Sequence, residues 1–424
     1  MSGPAAVTAT AWMARLKEAA RARFDALGVP KPTDEDWRQT NVQPLAAFAT
    51  VLAARVEVAS DALDAVPLAG VLPHRAVYVN GRFDPALSSL PEQPGVRVRS
   101  LAAVLAESPE LLEPHLARVA SFDGAAFVAL NTALFTDGAL VSVDDGVTAE
   151  PLHVVHVAVP GQAPSAAHAR TLVVAGAAAR CTVVESFVTL GTGTHLTNAV
   201  TEIVAGPDAC VSHVKIQAED VSGWHVAAIS GHQARGAQIV SHNISLGAAT
   251  ARNDIGSRLD GPGAECRLYG LYVAGGTQHV DNHTWLDHAM PHCPSWEMYK
   301  GLLAGRARAV FNGRIIVREG AQKTDAKQSN KNLLLGDGAM VYTRPQLEIH
   351  ANDVKCTHGA TIGRLDDESL FYLRTRGIGE DDARNVLIRA FADDLIDNLP
   401  VAALRPILSD ALHARLARNL EPEG

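Results

Sequence analysis

The chain opens on a helical pattern. Trp12, Leu16, Ala19, Ala20, Phe24 and Leu27 recur every three or four residues and form one apolar stripe. Gly28 suits the left-handed position that closes a helix, and Pro30 and Pro32 bar its continuation. Near residue 75 the periodicity changes. Residues 76–79 read as a short strand, and Asn80-Gly81 predicts a type I′ turn into Arg82-Phe83. A helix is predicted over 101–116, and 127–143 carries several turn residues. Short apolar runs then dominate to about residue 363: 152–159, 171–175, 181–190, 210–216, 237–246, 266–273, 309–317 and 339–342. Gly, Asn and Asp punctuate them, so they read as strands.

A loose repeat runs through this region, in which a Gly is followed closely by an Ala and then by an apolar run. It starts at Gly176, Gly206, Gly236, Gly263, Gly305 and Gly338, in steps of 30, 30, 27, 42 and 33 residues. A strand-built unit of that size points to a solenoid, although closely spaced strands also suit a sandwich. A βαβ sheet is excluded, because its crossovers need helices and no helical pattern interrupts the strands. The pattern favours a parallel β-helix. After it the chain turns helical again. Asp366 is a suitable N-cap for a helix through Leu370 and Leu373 that Gly377 closes. A second stripe comprises Ala383, Val386, Leu387, Ala390, Phe391, Leu395 and Leu399, and a third Leu404, Leu408, Leu412 and Leu416. The chain thus divides into an N-terminal helical region (1–75), a mixed α/β entry segment (76–150), a strand-built core (151–363) and a C-terminal helical region (364–424).

With 424 residues, 47% of them hydrophobic, the chain can bury a large core. A net charge of −9 gives no reason to expect nucleic acid or an anionic membrane as partner. Aromatic residues make up only 5%, which disfavours stacking platforms for sugars or single strands. Five scattered cysteines, Cys181, Cys210, Cys266, Cys293 and Cys356, fit reduced thiols better than a disulfide framework. No secretory signal pattern and no apolar run of about 18 residues is seen, so a soluble cytoplasmic protein is expected. There is no Gly-Lys pair and hence no P-loop, and neither a GxSxG elbow nor an HExxH motif.

Two clusters carry candidate chemistry. In 354–361, Cys356 and His358 lie two apart and share one face of a strand. Thiolate and imidazole suit iron or zinc, but two ligands do not fill a tetrahedral ion, so the remainder would come from elsewhere, another chain included. A buried Cys beside a satisfied His is the plainer reading, and a nucleophile–base pair a third. In 278–293, His279, Asp281 and His283 share a strand face, followed by Asp287, His288, His292 and Cys293. This is either a metal or substrate site or a polar ladder. Lys300 either pairs with a carboxylate or is solvated, the latter being more usual. Cys181, Cys210 and Cys266 read as core thiols.

Many ordered motifs resemble one family. Val354-Lys355-Cys356-Thr357-His358-Gly359-Ala360-Thr361-Ile362-Gly363 is similar to the C-terminal core signature of the SufB/SufD family of iron–sulfur cluster assembly proteins. Matching stretches in the expected order include Glu35-Asp36-Trp37-Arg38, Gln278-His279-x-Asp281, Tyr299-Lys300-Gly301, Phe311-Asn312-Gly313-Arg314, Gln322-Lys323-Thr324-Asp325-Ala326 and Gln328-x-Asn330-x-Asn332. The Cys-Thr-His-Gly form is nearer the SufD branch than SufB. The resemblance implies a mainly β protein, a right-handed parallel β-helix core flanked by N- and C-terminal α-helical regions. It implies a non-catalytic scaffold subunit in a complex with SufB and the ATPase SufC. SufC would dock on the C-terminal helices and SufB on the C-terminal strands, near Cys356 and His358. Those two residues would then be metal or nascent-cluster ligands. The cargo would be iron or an iron–sulfur cluster, held transiently at the subunit interface, with none tightly bound in the isolated chain. Pairing of the isolated chain with a second copy is a further expectation. The alternatives are a purely structural adaptor that touches no metal and a β-helix carbohydrate-active enzyme.

Overall fold

The computed structural model describes residues 4–419, with side chains from residue 11 to residue 415. A parallel β-solenoid of about eight turns forms the centre, with helices at both chain ends. It has two faces. The ten-stranded sheet begins with the antiparallel hairpin Arg75–Val79/Arg82–Phe83, in which Asn80 and Gly81 both have positive φ, as a type I′ turn requires. It continues through Leu152–Ala158, Arg180–Thr189, Cys210–Ala218, Gln238–Ser245, Glu265–Ala274, Pro294–Leu303 and Asp325–Leu334 to Lys355–Gly363. The nine-stranded sheet runs from Val96–Ser100 and Ala139–Val143 through Ser165–Ala175, His195–Ala205, Gly223–Gln233, Thr250–Leu259, His279–His288 and Arg308–Val317 to Met340–Ile349.

The chain alternates between the sheets, so each strand pairs in parallel with the strand one coil earlier and one coil later. In six successive coils one corner has a residue in the left-handed region: Ala178, Asp208, Gly236, Gly263, His292 and Lys323, with φ between 55° and 72°. That corner, more than the glycines, carries the repeat. Gly176, Gly206, Gly236 and Gly263 lie on it, whereas Gly305 and Gly338 lie on the opposite corner, before the nine-stranded sheet resumes. The irregular 42-residue step therefore joins two different corners.

Several strands lack an apolar run because both their faces are occupied by polar side chains. In Thr250–Leu259, Ala251, Asn253, Ile255, Ser257 and Leu259 are buried on one face, while Arg252 and Asp254 alternate on the other. The predicted helix over 101–116 is shorter, Leu101–Glu107, because Pro109 follows at once and opens a 3-10 turn, Pro109–Leu111. The turn-rich stretch holds a buried helix, Ala126–Leu134, and a strand, Ala139–Val143.

Helices cover the outer faces. Helix Pro4–Leu27 closes at Gly28, whose φ is 67°. Its Phe24 joins Val42, Leu45, Phe127 and Leu130 against Ala166, Leu196 and Val226 of the nine-stranded sheet. Helices Glu380–Asp397 and Leu404–Asn419 lie on the ten-stranded sheet, where Ile388, Ala392, Leu395, Ile396 and Leu408 meet Leu271, Val273, Leu302 and Leu333. The buried row is rotated from the predicted one: Val386 is 47% exposed and Ala390 is exposed. Leu404, Leu408 and Leu412 are buried, while the side chain of Leu416 lies outside the described residues. Helix Asp367–Thr375 is capped as predicted, Asp366 accepting from the Ser369 N–H at 2.8 Å, but it buries no residue.

Candidate metal-ligand pair at the open end of the solenoid

Strand Lys355–Gly363 is the last of the ten-stranded sheet and pairs on one side only, with Asp325–Leu334. Register fixes which way its side chains face. Cys356 is aligned with Ala326 and His358 with Gln328, both of them buried on the lumen side. Side chains in register on parallel strands face the same way. Cys356 and His358 therefore share the lumen-facing side of the terminal coil, where no further coil covers them. Cys356 is half-buried and packs against the interior core, whereas His358 is exposed. Burial pushes the Cys356 thiol up, and the nearby Asp325 carboxylate acts in the same direction. The thiol is thus held protonated at neutral pH.

Among the described residues, no group of three His, Cys, Asp or Glu side chains is disposed to hold a metal ion. Cys356 and His358 thus have no third such side chain beside them among the described residues. On the lumen side of the same terminal coil, Ile349 and Ile362 are 41% and 48% exposed.

The fold keeps the first part of the 278–293 cluster together on one strand face, as expected, and separates the rest. His279, Asp281, His283 and Asp287 face outward, His288 faces the lumen, and His292 and Cys293 lie in a corner. Asp281 is buried and accepts from Thr40 at 2.5 Å and from Arg252 at 2.6 Å, with His283 at 3.2 Å. Burial opposes its charge, but Arg252 and His283 hold its carboxyl well below the usual range. Arg252 also donates to the Asp36 carbonyl and stacks on Trp37, 4.4 Å from the ring centre. These contacts clamp residues 36–40 onto the nine-stranded sheet. Asp287 is engaged by Arg258 and Arg318 at 3.0 and 2.8 Å.

Lys300 is not solvated. It donates to Asp394 Oδ1 at 2.6 Å and to the Phe391 carbonyl at 2.8 Å, tying helix Glu380–Asp397 to the solenoid. Cys181 and Cys266 are core thiols, but Cys210 is only half-buried, on the outward face, with the Arg180 guanidinium 3.2 Å from its sulfur. Sequence patterns did not single out the buried acids of the lumen, Glu185, Glu219 and Glu297. Their trace is a carboxyl alternating with apolar residues along a strand, which an exposed face produces equally well.

Two family models together span nearly the whole chain. Residues 157–391 match the SUF system FeS cluster assembly, SufBD core domain, and residues 5–154 match the SufBD protein N-terminal region. The chain belongs to the SufB/SufD family. It is 35% identical to the iron-sulfur cluster assembly protein SufD of Escherichia coli K12, over 88% of this chain and 86% of that protein. It is 31% identical to the iron-sulfur cluster assembly SufBD family protein slr0076 of Synechocystis, over 92% and 88%. Chloroplastic protein ABCI7 of Arabidopsis thaliana is 32% identical over half of the chain. This SufD homologue has, among the described residues, no helix long and apolar enough to cross a membrane.

Proposed function

We propose that this SufD homologue is a non-catalytic scaffold subunit that pairs with SufB through the open end of its solenoid and with the ATPase SufC through its C-terminal helices. Cys356 and His358 would contribute to a site for iron or a nascent iron–sulfur cluster at the SufB interface. The observation that carries this reading is the placement of the pair. A thiol and an imidazole share the lumen side of a terminal strand whose outer edge is unpaired, amid exposed apolar side chains. Such an edge seeks another strand, and a two-ligand site needs further ligands. A second chain would supply both. The same edge would let the isolated chain pair with a second copy.

The C-terminal helices support the second contact. Phe371 and Tyr372 on helix Asp367–Thr375 are 68% and 56% exposed, and Val386 on the next helix is 47% exposed. An ATP-driven change in SufC would move these helices and open or close the interface, with cluster components as cargo.

The test is co-purification with SufB and SufC, followed by anaerobic cluster reconstitution on the wild type and on His358→Ala. We expect an intact three-component complex whose cluster content falls several-fold in the variant. Unchanged cluster content would leave the chain a structural adaptor, and failure to form the complex would overturn the partnership.

A further inference from the structure

The lumen of the last coils holds a polar column with open hydrogen-bonding capacity. Glu297, Gln328 and His358 are aligned in register on three successive parallel strands, all on the lumen side. Glu297 and Gln328 are buried, 1% and 3% exposed. Gln328 Nε2 donates to Glu297 Oε2 at 2.7 Å. The amide also fills the space left by Gly313, where a Cβ would come within 2.3 Å of Nε2. The nitrogen end of the amide is therefore held between Glu297 and the facing sheet. Among the described residues, Gln328 Oε1 has no hydrogen-bond partner. On a planar amide it occupies the other branch, turned away from Glu297, and the next lumen-facing residue in register is His358. A buried amide oxygen lacking a donor is costly, and an exposed imidazole one strand away carries a donor.

We propose that Gln328 accepts the ring N–H of His358 and so fixes its tautomer, and that Glu297 keeps the amide turned for this role. Burial raises the Glu297 carboxyl to about 7, so at mildly alkaline pH it is a carboxylate, which only accepts and so selects the NH2 end of Gln328, leaving the oxygen for His358. A neutral imidazole has one N–H and one lone pair. Committing the N–H to the lumen leaves the lone pair facing the open end, where a metal can take it. Rotation of the exposed ring suffices, because neighbouring strands lie about 4.8 Å apart. Gln328 and Glu297 are positioning residues. Their purpose rests on the ligand role of His358 proposed above, but the hydrogen bond itself can be tested without it.

The experiment uses the full-length chain labelled with 15N-histidine. Long-range 15N–1H spectra at mildly alkaline pH report the tautomer of each ring, and His358 is assigned by its loss in His358→Gln. One His358 tautomer is expected to dominate in the wild type, and the mixture of free histidine to appear in Gln328→Leu. Glu297→Gln, which preserves shape, should give an intermediate mixture, since either end of Gln328 can then face residue 297. It also serves if Gln328→Leu does not fold. A mixed tautomer in the wild type, or the same single tautomer in the variants, overturns the proposal. In reconstituted complex, Gln328→Leu should lower cluster content several-fold, with His358→Ala as the floor. If His358→Ala has no effect while the tautomer is fixed by Gln328, the ligand role fails and the hydrogen bond stands.

Discussion

At the scale of single residues, Lys300 shows how far a local pattern reaches. A lysine in the run Tyr299-Lys300-Gly301 reads as solvated, because lysines are rarely buried unless paired. Its partner, Asp394, lies 94 residues away on a helix, and no local spacing could reveal it. The Lys300 side chain is 7% exposed, whereas Asp394 is half-exposed. Removing the acid strands a buried ammonium that keeps the Phe391 carbonyl and a place over its ring, 4.9 Å from the centre. We expect Asp394→Ala to cost about 1–2 kcal/mol, below the range for a fully buried pair because water reaches the acid. Lys300→Met removes the charge and keeps the stem, and should cost less than about 1 kcal/mol. Urea denaturation of both variants decides it: equal losses would mean that the pair stabilises nothing beyond its packing. The Cys356–His358 pair was legible for the opposite reason. A strand's two-residue period fixes that they share a face. Which face is the lumen was not legible, because both sides of these strands carry buried residues elsewhere in the solenoid.

At the scale of elements, neighbouring strands interlock through glycine and tyrosine. Gly270 is in register with Tyr299, and Tyr272 with Gly301. A Cβ on Gly270 would lie 2.1 Å from the Tyr299 ring, and one on Gly301 2.2 Å from the Tyr272 ring. Each ring lies in the gap left by the glycine of the adjacent strand. The reciprocal spacing, Gly270-x-Tyr272 against Tyr299-x-Gly301, is visible along the chain but has no meaning until the register is known. Gly270→Ala should therefore destabilise by about 1–3 kcal/mol through overpacking. Gly263→Ala, at an open corner with φ 72°, should be strained in its backbone alone. Thermal melting of the two variants separates the effects: restoring Gly270→Ala with Tyr299→Phe should fail, since the ring and not the hydroxyl is obstructed, while Tyr299→Leu should recover part of the loss. The terminal helices were legible from their caps and stripes. The strands Gly223–Gln233 and Thr250–Leu259 were not, because Gln233, Asn253 and Ser257 are buried where an apolar run would be expected.

At the scale of the whole molecule, buried acids and histidines make the solenoid sensitive to acid. In the lumen, Glu185 accepts from Thr171, Thr201 and His213 at 2.6, 2.7 and 2.8 Å. Burial opposes the charge of Glu185 and of Glu219, but the imidazoles beside them hold both carboxyls well below the usual range. Burial also pushes His153 down to about 3, and His168, His225, His242 and His288 to about 4, from an ordinary 6.5. These rings are neutral when folded, so below pH 6.5 the unfolded chain binds more protons than the native state. Stability then falls by about 1.4 kcal/mol per pH unit for each histidine that stays neutral, until its own folded value is reached. The two glutamates act in the same direction lower down: their contribution is present above about pH 4.5 and disappears as pH falls through their depressed values. His195 opposes the trend. Burial lowers it, but Glu219 raises it on balance, so its contribution is present below 6.5 and lost as pH rises. Glu297 opposes it too: burial raises its carboxyl to about 7, so between about pH 4.5 and pH 7 the native state holds a proton that the unfolded chain has lost. Two groups against five do not reverse the slope. The urea midpoint should therefore fall steeply between about pH 6.5 and pH 5, with little change between about pH 7 and pH 8 from these histidines. Lys215, pushed down to about 7 by burial, adds a gentler rise above neutrality, because the unfolded amine still holds its proton there. A midpoint that is flat from about pH 6.5 to pH 5 would mean that water reaches these rings in solution, both in the lumen at His225 and His288 and on the covered outer faces at His153, His168 and His242.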